Sequence, residues 1–407
     1  MEHMLQEQLI RDVETLCGLP EGRQVGSAGN RKATAYAAGR LRDMGYGVQE
    51  KSFGCLDWEE SGCRIRAGKE DVAGFVSPWS LPCALTAPWV CAGTIEELEE
   101  TDMEGRIVVL HGQLCQEQLM PKNFVFYNPE HHRRIIGRLE AGRPAAIVAI
   151  TGKNPELAGA LYPFPLIEDG DVDIPSVYVK DTEGEKILGQ APGLLTLEIR
   201  SRRRKATGAN VVARLEGSSG RRVVLTAHID AKKDTPGALD NAAGVATLLG
   251  LAERTVRRPV RHTVEVVFLN GEDDYAQPGQ MLYLEDNADA MDDILLNINV
   301  DGAGCRGVRD GYCTIGWPEK GSGLLEPLSD RTAFAVMDPW MQGDHMLFVM
   351  AGIPALAVTS ENLDEVMGEI AHTPQDTPDR ISPEKLVRLS AALDRLLLAL
   401  DEQGMGE

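Results

Sequence analysis

From residue 206 onward, short apolar runs alternate with longer amphipathic stretches. Residues 221 to 227, 263 to 269, 294 to 300 and 353 to 359 are near-continuous apolar runs, the pattern of strands covered on both faces. Helical stretches fall between and beyond them at 241 to 257, near 278 to 290 and at 344 to 352. A last helix starts at Ser382 as N-cap, has Pro383 in its first turn and runs to about Gly404. This alternation predicts an α/β fold, a mainly parallel mixed sheet sandwiched by helices. Upstream, the first 19 residues read as an amphipathic helix. Residues 30 to 44 predict a second helix, with Ala33, Tyr36, Ala37, Leu41 and Met44 on one face and Gly45 at its end, followed by a strand at 46 to 53. From about 60 to 205 the texture changes. Short β-like runs at 105 to 112, 145 to 151 and 174 to 180 are separated by Pro, Gly and acidic turns, which predicts a β-rich segment with few helices.

A length of 407 residues favours two domains, or one large domain with an insertion. The change of texture sets the expected boundaries: 1–58 with 206–407 as one discontinuous domain, and 59–205 as the insert. A hydrophobic content of 43% is ample for a core, yet no window approaches the 18 consecutive apolar residues of a membrane span. The N-terminus lacks a basic region followed by an apolar stretch, so no signal peptide is expected and the cytoplasm is the expected location. The 41 basic and 62 acidic residues give a formal charge of -21, which argues against nucleic acid as a partner and favours a field that attracts cations. The basic run Arg200 to Lys205 is expected to be a solvated linker. None of the eight cysteines forms a CxxC pair, so they are expected to be small buried hydrophobes rather than zinc or disulfide partners.

Polar residues recur at one kind of place. His228 and Asp230 end the strand at 221 to 227, Glu272 and Asp273 follow the strand at 263 to 269, and Asp301 follows the strand at 294 to 300. Asp240 opens the helix after the first of these strands, and His372 lies in the loop after the last. A single Asp at a strand end is usually a turn or capping residue, and a lone His is usually a satisfied one. Here five acids and two histidines share the carboxyl edge of one sheet, where α/β folds bind ligands. Lys232 and Lys233 are the only basic residues close in sequence, so a metal cation is the economical counter-ion. Imidazole and carboxylate without thiolate suit zinc, or manganese or cobalt in its place. There are too many ligands for one tetrahedral ion, and they suit two about 3.5 Å apart that share a carboxylate. Asp344 and His345 are weaker candidates, an N-cap role for Asp344 being as well supported as a site role. His131 and His132 are expected at the surface, and Glu361 in a solvated loop.

The motifs AHID, GALDNAAGVA, NGED, NVDGAG, GDHMLFVMAGIPAL and HTPQDT, in that order, resemble those of the co-catalytic di-zinc aminopeptidases. Relatives of that family include bacterial leucyl aminopeptidases, glutamate carboxypeptidase II, the transferrin receptor and glutaminyl cyclase. The resemblance reaches upstream to residues 23 to 48, and the 59–205 segment is similar to the protease-associated domain often inserted in this family. It implies a zinc-peptidase (phosphorylase-like) fold and a metallo-aminopeptidase that hydrolyses N-terminal peptide bonds of peptides or aminoacyl substrates. It also implies roles: His228 and Asp301 on one zinc, Asp273 and His372 on the other, Asp240 bridging both, and Glu272 as the general base acting on a bridging water. Asp230 would accept the second ring N–H of His228, and the Asp240–Asn241 peptide bond would be cis. Two departures stand out. The chain has Glu272–Asp273 where relatives have Glu-Glu, and Tyr275, Gln277 and Pro278 where many have a Gly-Leu-x-Gly-Ser turn, so pocket shape does not transfer.

Three other readings remain. A di-zinc carboxypeptidase or deacylase commonly inserts its extra domain between the middle ligands, whereas here the insert precedes His228 and the run from Asp240 to His372 is unbroken. A single-zinc glutaminyl cyclase fits less well with both His228 and Asp301 kept. A metal-free, receptor-like binding protein would be expected to have lost ligands, and none is lost by chemical type. Substrate side-chain preference and homo-oligomerisation are left open.

Overall fold

A computed structural model describes residues 2–124, 128–154, 161–274 and 278–403. Two compact units form: Met1–Cys55 with Ala206–Glu407, and Leu56–Lys205. In the first, helices α1 (Glu2–Cys17) and α2 (Ala28–Asp43) precede the sheet. Ser27 caps α2 by accepting the Asn30 N–H at 2.9 Å, and Gly45 takes a φ of +95° just past its end. Besides the first part of the Gly47–Ala67 strand, which pairs with Leu194–Leu215, the strands of this unit are β1 (Leu194–Leu215, the end of which lies here), β2 (Arg222–His228), β3 (Thr263–Leu269), β4 (Ile294–Val300), β5 (Asp310–Ile315), β6 (Phe334–Val336) and β7 (Ala355–Ser360). Their order is β6-β5-β7-β4-β2-β3-β1. The inner four are parallel, while β1 and β5 pair antiparallel with β3 and β7. β5 and β6 go beyond the strands expected from the apolar runs.

Register decides where the chemistry lands. His228 pairs with Leu269, and Asn299 with Thr226, so β2, β3 and β4 end nearly level. β3 lies on one side of β2 and β4 on the other, so the chain order reverses beside β2. Such a reversal opens a crevice at the carboxyl ends of the strands. Helix α3 (Ala243–Thr255) covers this part of the sheet and is buried on nearly every side. A helix apolar all round belongs inside a core. Here α1 and the last helix, α4 (Pro383–Gln403), enclose it. Small residues let it approach closely: a Cβ on Gly250 would meet Leu9 at 3.0 Å, and one on Gly244 would lie 2.3 Å from both Val300 O and Asn241 Oδ1. The helix expected at 344 to 352 is only one turn, Met346–Val349, with Leu347 and Phe348 buried.

The second unit differs from a β-rich segment with few helices. Cys83–Ala92, Ile107–Leu110, Ala146–Thr151 and Ser176–Lys180 form a parallel sheet. The helices Ile95–Glu100, Glu130–Gly142 and Asp181–Leu188 belong to the same unit. Separate apolar clusters form around Leu98, Ile136 and Leu139, and around Ile187, Val148 and Leu197. The run Arg200 to Lys205 is not a linker but part of the Leu194–Leu215 strand. Its charges are paired: Arg203 bonds Asp173 at 2.7 Å, Arg204 bonds Asp57 at 2.9 Å, and Arg202 reaches Glu59 at 2.7 Å. Among the described residues no helix is long and apolar enough to cross a membrane, and all eight cysteines are free thiols.

The tightness of the α3 contact is testable. Gly244→Ala should cost about 1–3 kcal/mol, the range for overpacking a filled core, because the new methyl must displace Val300 or Asn241. A thermal or urea unfolding scan should show a lower midpoint. An unchanged midpoint would mean that α3 shifts without penalty.

Candidate metal centre

The carboxyl edge gathers six side chains from five places in the chain. His228 is the last residue of β2 and is buried with 1% of its surface exposed. Asp301 follows β4, its N–H donating to Val358 O at 2.9 Å. Glu272 and Asp273 follow β3 on a loop that turns at Gly271, where φ is +114°. Asp240 sits in the irregular turn before α3, and the Asp240–Asn241 peptide is cis. His372 follows the loop after β7 with a φ of +59°.

Asp240 lies at the centre of the group. Its Oδ1 is 3.0 Å from His228 Nε2 and its Oδ2 is 2.9 Å from His372 Nε2. Asp301 Oδ1 is 3.4 Å from His228 Nε2, and Asp273 Oδ1 is 2.8 Å from His372 Nε2. The result is two half-sites, each an imidazole with a carboxylate of its own, that share opposite oxygens of one further carboxylate. Glu272, half-buried, has a carboxylate oxygen within 4.8 Å of ligand atoms of His228 and Asp301.

These contacts are close without being hydrogen bonds. Both ring nitrogens of His228, and Nε2 of His372, are buried without an aligned partner. A buried polar atom in that state normally costs stability, so the group asks for something else between its members. Burial opposes charge on His228, yet the Asp301, Asp230 and Asp240 carboxylates outweigh it and lift its pKa well above the usual imidazole range. Burial opposes charge on His372 as well, and Asp273 and Asp240 still push it up to about 10. The carboxylates thus favour positive charge at both imidazoles, and a divalent ion among them would supply positive charge as well. The donor set, nitrogen and carboxylate oxygen without thiolate, is one that zinc takes. Burial raises Glu272 well above the usual carboxylate range, opposed by His228 and reinforced by Asp301, Asp344 and Asp273.

Asp230 departs from expectation. Its Oδ1 stands 3.7 Å from His228 Nδ1, beyond hydrogen-bond reach, and instead accepts the Gly271 N–H at 2.9 Å. It therefore ties the β2 end to the Glu272 loop. Asp344 is no helix cap: its Oδ1 accepts from Gln280 Nε2 at 2.6 Å, while Oδ2 is buried without a partner. Burial pushes it up to about 7, with His228 opposing and Asp301 and Asp230 adding to the rise, so it borders the site. Glu361 is held by Arg309 at 2.7 Å rather than left to solvent. Tyr275 and Gln277 lie outside the described residues, as does Gly404.

Other supports were not legible as site residues. Asp376, four residues after His372, accepts the N–H groups of Leu239 at 2.7 Å and Asp240 at 3.1 Å, which fastens the Asp240 turn to the His372 loop. Arg23 is buried and donates to the carbonyls of Ile229, Pro236 and Gly237 at 3.0, 2.6 and 2.7 Å, pinning the chain between His228 and Asp240. Lys232 donates its N–H to Asp273 Oδ2 at 3.1 Å and its ammonium to the Asp273 carbonyl.

The second unit holds its own cluster of Glu117, His131 and His132. His132 is not at the surface but fully buried on helix Glu130–Gly142, and only His131 is exposed. Both Nε2 atoms reach Glu117 Oε1, at 2.8 and 3.0 Å. His132 Nδ1 accepts the Met120 N–H at 3.2 Å. A neutral imidazole with Nδ1 so engaged carries its proton on Nε2, where it donates to Glu117 and leaves no lone pair for a metal. This cluster is satisfied by hydrogen bonds.

The chain is similar to several known proteins. A probable lipoprotein aminopeptidase of Mycobacterium tuberculosis is 26% identical over 292 residues, which cover 69% of this chain and 54% of that protein. The chain thus spans about half the length of that relative. An aminopeptidase of Bacillus subtilis is 24% identical over 387 residues, 89% of this chain and 78% of that one. The solved structure of a zinc aminopeptidase from Bacillus subtilis superposes with a TM-score of 0.74 at 20% identity, covering 97% of this chain and 94% of the other, and so shares the fold. The family model of peptidase family M28 matches residues 210–396. The resemblance carried by the motifs holds over the segment that bears every candidate ligand from His228 to His372, the segment that the model of peptidase family M28 matches.

Proposed function

We propose that the chain is a di-zinc aminopeptidase that releases the N-terminal residue of peptides. The observation that carries this reading is the placement of Asp240, one carboxylate oxygen toward each histidine. His228 and Asp301 would hold one ion and His372 and Asp273 the other, with Asp240 between them. Similarity to proteins named as aminopeptidases supports the substrate class. Zinc bound at such a pair makes water acidic enough to ionise near pH 7 and draws electron density from a scissile carbonyl.

Glu272 supplies the proton transfers. It stands free of the two half-sites' direct contacts, and its raised affinity for a proton suits a base that must first take one and then give it up. It accepts the proton of the attacking water and passes it to the leaving amine. Asp230 steadies this loop through Gly271 N–H, so Glu272 acts from a fixed position. A free substrate amino group, being cationic, is drawn to an edge rich in carboxylates, which favours exopeptidase over endopeptidase action. The second unit, Leu56–Lys205, would be a protease-associated-like insert.

Metal quantitation with matched substrates tests the whole reading. The purified chain should carry about two zinc ions, as co-catalytic sites do, and should cleave aminoacyl-nitroanilides but not their N-acetyl forms. Equal cleavage of both forms would rule out aminopeptidase action. Glu272→Gln should keep its zinc and lose at least about a hundredfold in kcat. Near-normal turnover would remove Glu272 from its role. Asp240→Ala should lose both ions, whereas Asp301→Ala should keep the His372 ion; retention of full zinc by Asp240→Ala would refute the bridge.

A further inference from the structure

The loop that carries Asp273 is held by Lys232. Lys232 is buried, with 8% of its surface exposed, in the turn after β2. Its backbone N–H donates to Asp273 Oδ2 at 3.1 Å, and its ammonium donates to the Asp273 backbone carbonyl. Oδ2 is thereby occupied, and Oδ1 is the oxygen left facing His372 Nε2 at 2.8 Å. Lys232 is itself fixed, because its carbonyl accepts the Thr235 hydroxyl at 2.8 Å and Arg23 pins the same turn through Ile229 and Pro236.

An aspartate has one methylene between backbone and carboxylate, so a backbone shift passes almost undiminished to its ligand oxygen. Metal–ligand distances tolerate only about ±0.2 Å. A donor that grips the Asp273 backbone while an N–H of the same residue orients the carboxylate therefore controls both the reach and the choice of oxygen. We propose that Lys232 is a positioning residue for the ion held by Asp273 and His372, presenting Asp273 as a single-oxygen ligand. This deepens the di-zinc reading and rests on it. The ammonium acts on the Asp273 backbone carbonyl, while the backbone N–H acts on Oδ2.

Two full-length variants test this by zinc competition against a chromophoric chelator. Lys232→Met keeps the apolar stem and loses the ammonium. One of its two zinc ions should dissociate about 10- to 100-fold more readily, the usual effect of losing a partner that orients a metal ligand, while the other changes little. In an Asp273→Glu background, where an extra torsion frees the carboxylate from its backbone, the same substitution should change affinity less than about threefold. The zinc-free Lys232→Met protein should still unfold in one cooperative transition, its midpoint lowered by no more than a few degrees from zinc-free wild type, as the loss of one buried hydrogen bond costs about 1–3 kcal/mol. Unchanged zinc affinity in Lys232→Met, equal loss of both ions, an undiminished effect beside Asp273→Glu, or a collapsed midpoint in the zinc-free variant would each overturn the positioning role. Lys232→Arg, which keeps a cationic donor, should retain affinity where Met does not; equal loss in both variants would also overturn it. A wild-type chain that takes up no zinc would contradict the proposed function itself.

Discussion

The constraint on which the site depends is the mutual repulsion of carboxylates packed around one of their number. Asp240, Asp273 and Asp301 approach two imidazoles within 2.8 to 3.4 Å, and Asp240 faces both. Few groups could hold such an arrangement together. Water is mostly excluded, since His228, Asp240, Asp273 and His372 are all buried. Positive charge must therefore come from the imidazoles themselves or from an ion between them. The sheet makes the arrangement possible because its parallel strands end level, so that loops far apart in sequence deliver their polar ends to one crevice.

The protein holds these loops by a lattice of backbone contacts rather than by the ligands alone. Asp376 ties the Asp240 turn to the His372 loop, Asp230 ties β2 to the loop after β3, and Arg23 closes the chain between His228 and Asp240. Lys232 extends the same lattice to Asp273. Behind it, Gly244 lets α3 press on Val300, the residue before Asp301, and Asn241 donates to that same Val300 carbonyl at 2.9 Å. Core packing and site geometry are one problem here: the helix that fills the core also fixes the turn that carries Asp240.

Much of this was legible in the sequence because it follows period and position. The apolar runs that became β2, β3, β4 and β7 place His228, Glu272 and Asp301 at strand ends without any knowledge of contacts. The supports were less visible. Arg23 and Asp376 act through backbone carbonyls and N–H groups, and a sequence does not say which backbone atoms a side chain will meet. The expected bond from Asp230 to His228 gave way to Gly271 because a positive φ there turns an N–H toward the carboxylate. In the second unit, Glu130–Gly142 hides its helical face behind a histidine: His132, Ile135, Ile136 and Leu139 are the buried set. The basic run at 200 to 205 reads as solvated by charge alone, yet carboxylates at Asp57, Glu59 and Asp173 make it compatible with a strand.

The most direct measurement is anomalous X-ray diffraction at the zinc edge from crystals of the full chain. Two peaks are expected, one on each side of the Asp240 carboxylate, beside His228 with Asp301 and beside His372 with Asp273. No peak at Asp240, or a single peak that leaves one histidine without a metal, would contradict the di-zinc reading.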